Sequence, residues 1–137
     1  MLIDHGLEIL TEEQCTALLH TAKVGRVGIT VGALPVIFPV NFGMVDGDIV
    51  FRTAPGTKLG AIRRGDVVAF EVDAYDATMK GGWSVLATGR AEIVHDLDTT
   101  FAVRDAEIEP WAAPSERTVI VRITPELLTG RRIARSH

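Results

Sequence analysis

The sequence predicts a mainly β fold, a small barrel of six antiparallel strands with helices at its edges. The runs GRVGITV, LPVIFPVNFGMV and DIVFRT are rich in β-branched and aromatic residues, and the turn signals Val-Gly-Ala and Asp-Gly separate them. Strands and helices do not alternate regularly along the chain, which disfavours a parallel sheet with crossover helices. Strands of this length and number favour closure into a barrel over an open sheet.

The first predicted element is a helix over residues 11–23. Thr11 followed by Gln14 has the form of a capping box, in which each side chain bonds the backbone N–H of the other residue. Apolar residues then recur at helical spacing, so the helix is expected to be amphipathic. These residues are Cys15, Leu18, Leu19 and Ala22.

The later elements follow from the same signals. A short helix is expected over residues 57–64, and another is expected to begin at Asp96 or Asp98 and to end near Glu107. The remaining strands are predicted at VVAFEVDA, WSVLATGRAEIVH and RTVIVRIT. One face of the long second strand is apolar throughout. Its other face carries Leu86 and Val94 among polar residues, which suggests cover by a partner subunit or by a helix.

Composition narrows the class of protein. The 137 residues are 47% hydrophobic and 23% charged, as in an ordinary globular domain, so one domain over residues 1–137 is expected. The formal charge of −4 disfavours a general nucleic-acid binder. A single cysteine, the absence of a signal-peptide pattern and the absence of a membrane-length apolar run predict a soluble, cytoplasmic protein.

Patterns for metal or nucleophilic chemistry are weak. The four histidines are scattered, so no metal site is expected. Cys15 falls on the apolar face of its helix, where a thiol is usually inert. The carboxylates Asp73, Asp76, Glu107 and Glu109 are interpreted as turn and helix-end residues, and no acid/base pair is recognised among them.

The segment FRTAPGTK, residues 51–58, is the best candidate for a phosphate site. Hydroxyls of Thr53 and Thr57, charges of Arg52 and Lys58, and the N–H groups that open a helix would converge there. It is not a Walker A loop, because Phe51 stands where that motif has glycine. By itself the segment is also compatible with an ordinary turn between a strand and a helix.

The order of the segments along the chain strengthens the prediction of a phosphate site at residues 51–58. VGRVGIT, LPVIFPVNF, DIVFRTAPGTKLGAIRRGDVVAFEVD, GWSVLATGRAEIV and VRITPELLTGRRI follow one another with the spacing of the pyridoxamine 5′-phosphate oxidase-like superfamily. The chain resembles these FMN-binding split β-barrels from about Leu10 to Ile133. The resemblance implies a homodimer with two flavin sites in the clefts between its subunits, and a flavin-dependent oxidoreductase that works by hydride transfer.

The resemblance also implies site residues. The strand matching Pro39, Val40, Asn41 and Phe42 would lie along the isoalloxazine ring. The segment matching Phe51, Arg52, Thr53, Thr57, Lys58 and Leu59 would hold the ribityl phosphate. Trp83 and Ser84 would reach the flavin from the partner chain.

Two departures limit what the resemblance implies. Relatives in the nitroimidazole-resistance group often carry histidine where this chain has Arg52, so a haem role that depends on that histidine is not expected here. The authentic pyridoxamine phosphate oxidases carry further substrate-binding basic residues in a longer C-terminal region, so vitamin B6 oxidation is not expected either. Arg131 and Arg132 could border the ligand or form a solvated basic tail, and the tail is the favoured interpretation. A deazaflavin F-420 reductase, which would use Lys58, Arg52 and Arg63, and a non-catalytic flavin or haem carrier remain alternatives.

Overall fold

The computed structural model describes residues 2–78, 80–111 and 118–133, without the side chains of Leu2, Asp4, Thr57 and Lys58. These residues form eight strands and three helices. In chain order the elements are β1 (Leu2–Asp4), β2 (Leu7–Ile9), α1 (Glu12–Thr21), β3 (Val24–Val31), β4 (Leu34–Val45), β5 (Asp48–Thr53), α2 (Thr57–Arg63), β6 (Val67–Asp76), β7 (Gly81–Val94), α3 (Leu97–Asp105) and β8 (Val119–Ile133).

Six strands close into a barrel. Neighbouring strands follow the order β8-β5-β4-β3-β6-β7, and β7 pairs again with β8, so each of the six has a partner on both sides. The N-terminal hairpin of β1 and β2 extends the sheet beyond this ring by pairing with the end of β8. The predicted fold class is confirmed. The predicted count of six is too low for the sheet as described, because the N-terminal hairpin belongs to it.

Three tight turns connect the hairpins. Each has two central residues in the left-handed region, the geometry that matches the twist of antiparallel strands. The turns at Gly32-Ala33 and Asp46-Gly47 were expected from the sequence. The turn at His5-Gly6 was not, because its strands are only three residues each and show little alternation.

Helix α1 is confirmed together with its capping box. The N–H of Thr11 donates to Gln14 Oε1 at 2.8 Å, and the N–H of Gln14 donates to Thr11 Oγ1 at 3.1 Å. The buried Cys15 faces Gly130 of β8, where a Cβ would lie 2.6 Å from the Cys15 sulfur. Glycine at this position therefore lets α1 pack directly on the barrel.

Helix α3 packs on the outside of the barrel. It is capped by Asp96, which accepts a 2.8 Å hydrogen bond from the N–H of Thr99, and not by Asp98. Val103 of the helix and Ile108 after it form a small apolar cluster with Val50 of β5. The helix therefore lies against the outer face of the strand whose end carries the predicted phosphate segment.

The last strand is longer than the sequence predicts. β8 runs to Ile133 and includes Arg131 and Arg132, so their interpretation as a solvated tail is wrong. The two arginines pair with Ser84 and Trp83 of β7 on one side and with β2 on the other. Backbone ladders on both edges hold this polar stretch in the sheet, although its side chains lack a strand pattern.

Candidate functional site

The Arg52 side chain lies on the outside of the barrel and binds the connection between α3 and β8. Its Nη2 donates to Thr118 Oγ1 at 2.9 Å, and its Nη1 lies 3.4 Å from both the Ile108 carbonyl and Glu109 Oε2. Asn41 reaches the same segment, because its Nδ2 donates to the Glu109 carbonyl at 3.3 Å. Two residues predicted to contact a cofactor thus bind the same segment, and their described contacts are with protein groups.

Three other predicted residues are part of the core. Val40, Phe51 and Leu59 are between 0% and 3% exposed, whereas Pro39 beside them is exposed. Successive side chains of a strand point to opposite faces, so the Val40 side chain points into the core whereas the Asn41 side chain points outward. Val40, Phe51 and Leu59 therefore fix the positions of β4, β5 and α2.

The predicted phosphate segment begins where β5 ends. Thr53 closes the strand, and α2 starts at Thr57 after Gly56, with no side-chain cap on its first turn. The backbones of Thr57 and Lys58 form that turn, but their side chains lie outside the described part of the chain. The segment has the predicted strand–turn–helix form, with a helix of only seven residues.

Trp83 and Ser84 line a cleft at the far end of β8. It has a volume of about 280 Å³ and is walled by Leu7, Asp73, Ala74, Tyr75, Gly82, Trp83, Ser84, Arg131 and Ile133. A second cleft of about 360 Å³ shares Tyr75 and Trp83 with the first. We call the first of these the Trp83 cleft. Its aromatic and aliphatic walls suit a flat organic ligand.

The two C-terminal arginines differ in their partners. Arg132 forms two 2.9 Å hydrogen bonds with the Glu8 carboxylate. Arg131 donates to the Gly130 carbonyl at 3.0 Å and makes no ion pair with any described carboxylate. Arg131 therefore leaves positive charge at the Trp83 cleft, whereas the charge of Arg132 is balanced.

The predicted residues fall into two separate regions of one barrel. Thr53 pairs with Val119 at the start of β8, and Trp83 pairs with Arg132 near its end. β8 lies between β5 and β7, and the two regions are near opposite ends of this 15-residue strand. A single subunit does not bring the phosphate segment and Trp83 together.

The structure also reveals a charged cluster that the sequence analysis missed. Glu71 and Asp73 lie on the same face of β6, next to Arg26 of β3. Arg26 Nη1 is 3.9 Å from Glu71 Oε1 and 3.7 Å from Asp73 Oδ2, both too long for hydrogen bonds. Two acids two residues apart on a strand were the available signal, but Asp73 was assigned to a turn.

Glu71 has an unusual electrostatic environment. Its Oε1 atom is buried and has no hydrogen-bond partner among the described residues. Burial, followed by interaction with Asp73, raises the pKa of the Glu71 carboxyl to about 7, and Arg26 only partly opposes this shift. A glutamate with this pKa would be partly protonated at neutral pH, unlike an ordinary glutamate.

Other sites of chemistry are not apparent in the described ranges. Burial raises the pKa of the Cys15 thiol, which disfavours the reactive thiolate. Residues 2–78, 80–111 and 118–133 contain no group of three metal-binding side chains. None of the helices in these ranges is long and apolar enough to cross a membrane.

The sequence of this chain matches a known protein family over nearly the whole barrel. A family model described as pyridoxamine 5′-phosphate oxidase matches residues 11–132, which include the whole barrel up to its last residue. The chain belongs to this family. The match extends over both regions of the predicted site, although family membership does not assign a role to any single residue.

Individual proteins are similar to this chain over most of its length. An uncharacterized protein of Mycobacterium tuberculosis is 38% identical over 129 residues, which are 90% of this chain and 84% of that protein. The FAD-binding protein of Mycobacterium smegmatis has 37% identity and a TM-score of 0.77, covering 93% of this chain and 100% of that one. A FAD-binding protein of Mesorhizobium loti has 26% identity and a TM-score of 0.76, covering 93% and 99%.

Proposed function

We propose that the protein is a homodimer that binds a flavin between its subunits and acts as a flavin-dependent oxidoreductase on a small molecule. The observation that carries the proposal is the family match over residues 11–132, because that range contains every residue of the predicted site. A bound flavin would supply hydride transfer. The protein would supply position, charge and exclusion of water.

The residues present fit a flavin. Trp83 and Tyr75 offer aromatic surface for a planar ring, and Ser84 offers a hydroxyl at the edge of the same cleft. Arg131 adds unbalanced positive charge, which favours an anionic ligand or a ring that gains negative charge on reduction. The Thr53–Lys58 segment would hold the phosphate, with the charge of Lys58 as its main contribution.

The dimer follows from the separation of the two regions. If one ligand contacts both the Thr53–Lys58 segment and Trp83, two copies of the chain can supply one region each. The outer face of the barrel is suited to a partner. A row across five strands joins small residues to exposed apolar ones: Ile37, Gly28, Ala69, Thr88 and Leu127.

Small residues let a partner approach closely, and the aliphatic ends gain from burial. Ile37 is 72% exposed and Leu127 is 59% exposed in the single chain, so a second copy on this face would remove much apolar surface from water. Leu86, two residues before Thr88 on β7, is also exposed and extends this surface.

Two forms of flavin are candidates. FMN is the form that the phosphate segment predicts, since one phosphate suits one lysine and two threonines. FAD is favoured by the two similar proteins that are described as FAD-binding. We propose FMN, with FAD as the second candidate.

The test is cofactor uptake by the purified protein. FMN, FAD, riboflavin, F-420 and haemin are each added, excess ligand is removed by gel filtration, and the visible spectrum and molar mass are recorded. A dimer that retains one FMN per subunit supports the proposal. Retention of FAD alone selects the second candidate. Uptake of F-420 or haemin without any flavin, or a monomer that binds none of the five, overturns the proposal.

A further inference from the structure

The Glu71–Asp73 pair lies beside the Trp83 cleft. Asp73 is itself part of the cleft wall, together with Trp83, Ser84 and Arg131. Glu71 lies two residues before Asp73 on the same face of β6, so it stands behind Asp73 and does not line the cleft itself. The pair therefore connects a half-buried carboxyl to the surface that a ligand would touch.

The Oε1 atom of Glu71 lacks a hydrogen-bond partner among the described residues, and a proton on the carboxyl would provide a donor. Two ionised carboxylates can only accept hydrogen bonds, so neither can donate to the other. A proton on Glu71 turns it into a donor toward Asp73, which relieves the unpartnered Oε1 atom. Arg26 carries one positive charge and can balance only one of the two carboxylates. Its guanidinium is also beyond hydrogen-bond distance from both acids.

Among the described residues, the phenol of Tyr75, two residues after Asp73 on β6, is the further titratable side chain that lines the cleft beside the pair. On β7, Leu86 stands opposite Glu71 and Ser84 stands opposite Asp73. On β8, Arg131 stands opposite Ser84. Arg26 on β3 is the cation beside the pair and favours loss of its proton, while Arg131 on β8 lines the same cleft as Asp73.

We propose that Asp73 is the proton donor of the Trp83 cleft and that Glu71 supplies it with the proton. This inference rests on the proposed function, because it concerns a flavin bound at that cleft. Asp73 touches the cleft and is the catalytic residue, while Glu71 acts through it. The substrate class is a small molecule with a polarised double bond, such as an enone or an imine.

A bound flavin in its reduced form would supply the hydride. A C–H bond would form at one atom of the substrate double bond while the π bond breaks, and the electron pair on the other atom would take the proton of Asp73. Glu71 would replenish that proton and would itself be reprotonated from water. The substrate would gain two electrons, which a reduced nicotinamide or a similar hydride donor would return to the flavin.

Proton coupling can be measured without a substrate. If the pair responds to charge at the cleft, reduction of the bound flavin raises the proton affinity of the Glu71–Asp73 pair. Thermodynamic linkage then requires that protonation of the pair raises the midpoint potential of the flavin. The slope of the midpoint potential against pH should therefore steepen near neutral pH by one proton per two electrons. In Glu71→Gln and in Asp73→Asn the line should keep one slope through the neutral range.

A titration of the cofactor-free protein tests the pair itself. Carboxyl-carbon NMR from about pH 4 to about pH 9 should show one Glu side chain that titrates near neutral pH in the wild type, and Asp73→Asn should move it toward the ordinary glutamate range. Asp66→Asn is the control, because Asp66 pairs with Arg64 at 3.0 Å away from the cleft. It should leave both the titration and the potential unchanged.

The outcomes separate this inference from the function on which it rests. A protein that binds no flavin overturns the proposed function, even if Glu71 titrates near neutral pH. A flavoprotein whose wild-type potential shows no change of slope, or whose change of slope survives both substitutions, overturns the inference and leaves the flavin function standing. Absence of a glutamate that titrates near neutral pH also overturns it. The thermal midpoints of both variants check that each is folded.

Discussion

The guanidinium of Arg132 and the carboxylate of Glu8 form two parallel hydrogen bonds of 2.9 Å across β8 and β2. The pair joins the two ends of the described chain, 124 residues apart. Because it lies between paired strands, it fixes the register of the N-terminal hairpin on the barrel.

We expect Glu8→Gln to lower the melting temperature by a few degrees at neutral pH. The hydrogen bonds from Arg132 lower the pKa of Glu8, so the folded state binds its proton less tightly than the unfolded state. The stabilisation is therefore complete above the unfolded pKa and is lost as the pH falls through the folded one. Thermal melts at neutral and acidic pH should converge at the acidic end. Glu13→Gln, on the exposed face of α1, is the control, and equal wild-type and Glu8→Gln melts at neutral pH would contradict the prediction.

The irregularity in the β7–β8 ladder at Thr88 and Gly89 should be intolerant of a side chain. A Cβ at Gly89 would overlap the carbonyl oxygen of Thr124, which is backbone and cannot rotate away. We expect Gly89→Ala to lower the free energy of unfolding by about 1–3 kcal/mol, the usual cost of overpacking. In urea unfolding, the control Gly60→Ala should change it in the opposite direction, because a Cβ there meets only the flexible Arg64 side chain at 3.5 Å. A Gly89→Ala protein as stable as the wild type would show that the ladder can shift.

Lys58→Ala should weaken the binding of FMN by roughly 1.5–3 kcal/mol, the range for a hydrogen bond to a charged group. Riboflavin lacks the phosphate, so its affinity should not change. Fluorescence titration with both flavins measures the difference, and Arg63→Ala in the last turn of α2 is the matched control. Equal FMN affinity in the wild type and in Lys58→Ala would place this side chain away from the phosphate.

Trp83→Ala should reduce flavin affinity by at least about tenfold, since stacking on an aromatic ring contributes on the order of 1 kcal/mol beyond the area that it buries. It should also weaken the dimer if the ring reaches the neighbouring subunit. Trp111→Ala removes an exposed tryptophan and serves as the control. Flavin titration and light scattering measure the two effects separately. A Trp83→Ala protein that binds flavin as tightly as the control would remove this residue from the site.

Glu71 makes the fold less stable as the pH rises. Its folded pKa of about 7 exceeds the ordinary value of 4.5, so the folded state binds more protons than the unfolded state between these values. Stability therefore falls as the pH increases through this range. We expect Glu71→Gln to raise the free energy of unfolding by about 1 kcal/mol at mildly alkaline pH, with the side chain's partial exposure taken into account. Urea unfolding at acidic and alkaline pH measures this, and a gain of equal size at both would contradict the assigned cause.

The elements that the sequence predicts well are those with local causes. The capping box at Thr11 and Gln14 and the turn at Asp46-Gly47 each depend on residues within one turn of chain. Hydrophobic alternation located the barrel strands for the same reason, since a strand with one buried face alternates apolar and polar residues. The order of these local signals also led to the family.

The parts that sequence could not supply depend on pairing between distant segments. Arg52 was assigned to a phosphate from its neighbours in the chain, but its contacts come from a segment more than 50 residues later, as its separation of 56 residues from Ile108 shows. Arg131 and Arg132 have no strand pattern of their own and become a strand only because β7 and β2 pair with them. The charge cluster at Glu71 likewise needs the register between β3 and β6, which brings Arg26 beside it.

The position of β8 in the ring has a consequence for biosynthesis. This strand comes last in the described chain, yet it completes the barrel by pairing with β5 and β7 and receives the N-terminal hairpin as well. During translation, β3 to β7 can form hairpins as they emerge, but their outer edges lack partners until Ile133 has left the ribosome. Folding is therefore expected to finish after synthesis of the last strand, with a slow closing step set by contacts between the two ends of the chain.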